Sequence, residues 1–73
     1  MKDEFEIRAM GFGELAQLYN PRIKPESASN MLRLWIGKSK SLKMALNEGG
    51  YKKGSKLLTP RQVEILVDYL GPP

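Results

Sequence analysis

The chain contains no cysteine and no histidine. Those two absences remove disulfides, thiol nucleophiles, zinc ligation of the usual kind and the imidazole general base. Apolar residues never run far, the longest stretches being of the type Ile65-Leu66-Val67, where a bilayer crossing needs about 20 residues. The first ten residues, MKDEFEIRAM, are acidic where a signal peptide is basic and then apolar. These features point to a cytoplasmic protein with no membrane partner. Carboxylates remain, but the pair Glu64 and Asp68 stands at i, i+4 on a solvent face of a helix, and without a histidine or cysteine partner it makes no catalytic set. No enzyme, no cofactor, no metal and no small-molecule substrate is expected.

What is present fits one small domain. The 73 residues leave room for a single core, and a chain this short buries only about 60% of its unfolded surface. Residues 1–4 and 72–73 are expected to be flexible ends. The formal charge of +4 is unevenly spread: residues 38–56 carry six lysines against Glu48, whereas residues 1–14 carry two positive and four negative charges. Concentrated basic charge is the electrostatic footprint of a nucleic-acid binder, and it is equally the composition of a solubilising surface.

Local patterning gives the elements. Phe5, Ile7 and Ala9 alternate with Glu6 and Arg8, which predicts a short strand over residues 5–9. Gly11 and Gly13 precede a short helix over residues 14–19, ended by Pro21. Pro25 opens a second helix running to about Gly37, with Ala28, Met31, Leu32, Trp35 and Ile36 on one face. Ser39 caps a third helix through Glu48, with Leu42, Ala45 and Leu46 inward and Lys40, Lys43 and Asn47 outward. Residues 51–53 and 56–58 flank Gly54-Ser55 as a hairpin with a type II′ turn. Thr59-Pro60-Arg61-Gln62 combines a capping box with proline at the first helical position, and Gly71 with Pro72-Pro73 closes that last helix. Val63, Leu66, Val67 and Leu70 make its inner stripe. Ile65 and Tyr69 fall outside it, either packed under another element or forming a contact between copies.

A short helix, a turn, a second amphipathic helix and then a basic hairpin feeding a capped helix is the order of a winged helix-turn-helix. GFGELAQLY resembles the first helix of the MerR and excisionase class, MLRLW resembles the Leu-Arg-aromatic segment of that class's second helix, and GYKKGSKLLTPRQVEIL resembles its wing. NPRIKPES is longer than that class's tight turn, and residues 38–48 insert a helix where the class has a short connection. From about residue 8 onward the chain also resembles a small stand-alone domain of unknown function from gut anaerobic bacteria, through ELAQLY before a proline, SAS ahead of LRLWI, GY, LTPRQVEIL and the terminal LGPP. That second resemblance implies a compact, mostly helical unit and no particular activity.

The expected fold is therefore mainly α with a small β-hairpin, winged helix-turn-helix-like, with four short helices. The resemblance to the MerR class implies a small transcriptional or mobile-element regulator that binds double-stranded DNA. Ser27, Ser29, Asn30 and Arg33 would then face the major groove, Arg33 pairing with guanine and Asn30 with adenine. Arg22 and Lys24 would lie near a phosphate, and Lys52, Lys53 and Lys56 would grip the backbone. Ordinary alternatives stand beside each: the serines satisfy helix-start amides, and Arg33 pairs with Glu26 or Glu14. The competing reading is a protein-interaction module or homodimeric adaptor with no nucleic-acid role, anchored by Leu34, Ile65 and Tyr69.

Overall fold

A computed structural model of the chain describes residues 5–52 and 54–73. In order, these form strand β1 (Met10–Gly11), helices α1 (Phe12–Tyr19), α2 (Pro25–Lys38) and α3 (Lys40–Glu48), strand β2 (Leu57–Leu58) and helix α4 (Pro60–Leu70). The fold is mainly helical with a small antiparallel pair, as the sequence patterning predicts. The largest fully buried side chains are Leu15 from α1, Leu32 from α2, Leu42 and Leu46 from α3, Leu58 from β2, and Val63 and Leu66 from α4. Each contributes about 1.5–3 kcal/mol of burial, so every helix is held by the same centre.

The strands lie elsewhere than the alternation predicts. Residues 5–9 form no strand and Ile7 is exposed, while Phe5 packs against the core. The ladder is set instead by β2, which pairs Met10 with Leu58 and Gly11 with Leu57 and is itself only two residues long. Phe12 N donates to Lys56 O at 2.8 Å and extends the pairing by one bond. Nor does residue 51 ladder with the segment that follows, because Tyr51 N is already spent: it donates to Leu46 O at 2.9 Å at the end of α3. What remains near Gly54 is a single turn in which Ser55 N donates to Lys52 O at 3.0 Å, with Gly54 at φ 88°. Gly54 is thus the third residue of its turn, where glycine takes positive φ at no steric cost, rather than the second residue of a type II′ turn.

α1 begins two residues earlier than predicted, because Glu14 Oε1 accepts from Gly11 N at 3.4 Å and starts the helix from that glycine. Small residues set how closely α1 and α2 approach. Ala16 and Ala28 are fully buried, and a Cβ placed on Gly13 would sit 3.4 Å from Ser29 Oγ. The long connection between the two helices is pinned by side chains: Gln17 Nε2 donates to Asn20 O at 3.0 Å and to Ile23 O at 2.7 Å.

α3 starts on Ser39, whose Oγ accepts from Leu42 N at 3.2 Å. It ends in a Schellman motif, with Tyr51 N donating to Leu46 O and Gly50 N to Asn47 O at 3.1 Å. Gly50, at φ 90°, is the residue that needs the left-handed region; Gly49, directly after the last helical residue, has φ −83°. Gly49 has a different duty, since a Cβ there would meet Ile65 Cδ1 at 3.1 Å. Ile65 is accordingly buried beneath the end of α3. α4 carries the full capping box: Thr59 Oγ1 accepts from Gln62 N and Gln62 Oε1 accepts from Thr59 N. The other end of the same amide, Gln62 Nε2, donates to Gly49 O at 3.1 Å and ties the start of α4 to the end of α3.

Candidate functional site

The sites proposed from sequence are mostly cationic, so the first question is whether those cations are neutralised at home. Among the described residues the one ion pair is Arg8 with Glu14, at 3.2 Å and half exposed. Glu14 is therefore engaged away from Arg33. Arg33 is positioned by other means: its guanidinium carbon lies 5.2 Å from the centroid of the buried Phe12 ring, and Nη1 donates to Asn30 Oδ1 at 3.0 Å. A cation over an aromatic face keeps its charge while losing freedom. The carboxylate alternative for Arg33 is thus replaced by an aromatic one.

Arg33 stands at the side of an open groove of about 550 Å³ between α2, α3 and the residues Tyr51 and Gly54. α2 supplies Asn30, Arg33 and Leu34, and α3 supplies Lys43, Leu46 and Asn47. Tyr51 and Gly54 close the third side. The Tyr51 ring stacks on Phe12 at 6.4 Å, so Arg33 and Tyr51 share one aromatic support. Burial raises the Tyr51 phenol above its ordinary value, while the Arg33 charge pulls it the other way. Among the described residues no carboxylate lines the groove. It has an apolar floor and a basic, amide-bearing rim.

The remaining predicted residues separate into groups. Arg22 and Lys24 are exposed in the connection before α2, Ser27 and Asn30 are exposed on its first half, and Lys52 and Lys56 are exposed beyond α3. Ser29 does not join them: it is half-buried against Gly13, where the close approach of α1 claims it. Lys53 lies outside the described residues, as do residues 1–4. Of the self-association residues, Leu34 and Tyr69 are exposed but Ile65 is buried, because the bare backbone of Gly49 lets its Cδ1 pack there. Sequence reasoning placed Lys43 and Asn47 together on the outer face of α3, which was signal enough to find them, but left them unconnected to Arg33. It read neither Phe12 nor Tyr51 as part of the site.

Among the described residues no helix is long and apolar enough to cross a membrane, and no cluster of acidic side chains suits a metal ion. The chain matches the family described as Domain of unknown function (DUF4248) over residues 6–73, and it belongs to that family. Comparison with curated proteins and with solved structures gives no match.

Proposed function

We propose that this member of the DUF4248 family is a DNA-binding module of helix-turn-helix type, in which α1 braces α2 against the duplex. The observation that carries the reading is the gathering of Arg33 and Lys43, from different helices, around one groove beside Tyr51 and Gly54, with no carboxylate among its described lining residues. Cations that meet a phosphate backbone release its condensed counterions, and that release drives association. Arg22 and Lys24 ahead of α2, and Lys52 and Lys56 beyond α3, are exposed as well and open to further phosphates. Ser27, on the exposed first half of α2, is available for a base edge, whereas Asn30 has only its Nδ2 to offer because its Oδ1 accepts from Arg33. Ser29 has no part in this reading.

Arg22, Lys24, Arg33, Lys43, Lys52 and Lys56 are six candidate phosphate contacts. With about six contacts, affinity for a mixed-sequence duplex is expected to fall about a thousandfold between roughly 50 and 200 mM salt. Fluorescence anisotropy with a labelled duplex measures this directly. No binding at the lower salt, or binding indifferent to salt, would sink the proposal.

A further inference from the structure

A phosphate backbone gains nothing from an apolar floor, and the groove beside Arg33 has one. Leu34 is 54% exposed there, Leu46 lies beneath, and Tyr51, whose ring stacks on Phe12, lines the groove's third side. We infer that this groove seats a single unpaired nucleotide, its base against Leu34 and Tyr51 and its phosphate between Arg33 and Lys43. The protein therefore prefers DNA carrying an unpaired base to an intact duplex. The inference rests on the DNA-binding reading and sharpens it.

Three properties of the groove select this occupant. Its volume of about 550 Å³ falls in the range of roughly 300–1,000 Å³ typical of sites that enclose small organic groups. Its rim pairs two cations with the exposed amides of Asn30 and Asn47, and among the described residues no acidic side chain lines it to oppose a phosphate. The Arg33 guanidinium is held on its own protein by Asn30 and Phe12. That geometry makes Arg33 a fixed phosphate contact at the groove mouth instead of a free fork for guanine. Stacking of bases on aromatic side chains is tolerant of sequence, so the preference is for an unpaired base of any identity.

The test compares a labelled duplex with the same duplex carrying one bulged adenine, at equal salt. The bulged form is expected to bind about tenfold tighter, the usual order for one stacked base. Leu34→Ser and Lys43→Gln, both at exposed positions, should each cut that ratio severalfold, while Arg61→Ala, on α4 away from the groove, should leave it intact. Equal binding of the two duplexes overturns the inference and leaves the DNA reading standing. Absence of binding to either form at low salt removes both. A poly-glutamate peptide that displaces the bulged duplex as well as a single-stranded oligonucleotide of equal charge does would mark an acidic-protein groove and also overturn the inference.

Discussion

Gln62 shows how one side chain can join two elements. It is 5% exposed and makes three hydrogen bonds: its own N–H to Thr59 Oγ1, its Oε1 from Thr59 N and its Nε2 to Gly49 O. Gln62→Ala strips a partner from each of two backbone groups, and a loss of about 1–3 kcal/mol in urea denaturation is expected. Tyr19 plays a similar part at the opposite end of α4. Its hydroxyl donates to Gly71 O and its ring meets Trp35 edge-on at 5.9 Å. Tyr19→Phe keeps the ring and loses the bond, for about 0.5–1.5 kcal/mol. Burial also raises the Tyr19 phenol above its ordinary value of 10.0. The unfolded chain then ionises first as pH climbs, so this contribution is complete below about pH 10 and is lost as pH rises through the folded-state value. Urea midpoints measured at about pH 9 and pH 11 should differ, and by less in Tyr19→Phe.

At the scale of elements, the two ends of α3 explain why an inserted helix sits firmly between α2 and the 51–54 turn. Ser39 serves α2 as its C-cap and α3 as its N-cap, so a single residue changes the chain's direction. Gly50 then reverses it at φ 90°. Gly50→Ala forces a side chain into the left-handed region and should cost about 1–2 kcal/mol. Gly37 is the contrast, being helical with open space where a Cβ would go. Gly37→Ala should stabilise by up to about 0.5–1 kcal/mol through the unfolded chain. Thermal melts of the two variants should therefore move in opposite directions. The capped ends of α3 and α4 were legible in the sequence because Ser39, Thr59, Pro60 and Gln62 act within a few residues of themselves. The strands were not, because the pairing of Met10 with Leu58 spans most of the chain and depends on where α3 delivers it.

The whole molecule decides which surfaces are free. Ile65 has the chemistry of an interface anchor, and only the docking of α4 against Gly49 puts it inside. Ile65→Val should accordingly cost about 0.5–1.5 kcal/mol of stability without altering the sedimenting mass. A change of mass at equal stability would return it to the surface. The same docking also makes the groove: Arg33 comes from α2, Lys43 from α3 and Tyr51 from the end of the Schellman motif. No two of them are neighbours along the chain.

By itself the sequence determined that there are four helices, the caps that open α3 and α4, and the inner stripes of α2 to α4 apart from Met31, which is exposed, since 3.6-residue periodicity, proline at the first turn and capping hydroxyls work through local backbone geometry. It also determined the abundance of lysine between residues 38 and 56. Only the tertiary structure decided what those lysines stand beside. Contacts such as Arg33 over Phe12, Ser29 against Gly13 and Ile65 under Gly49 arise between elements whose relative placement is fixed by the shared leucine core, and no local pattern encodes that placement.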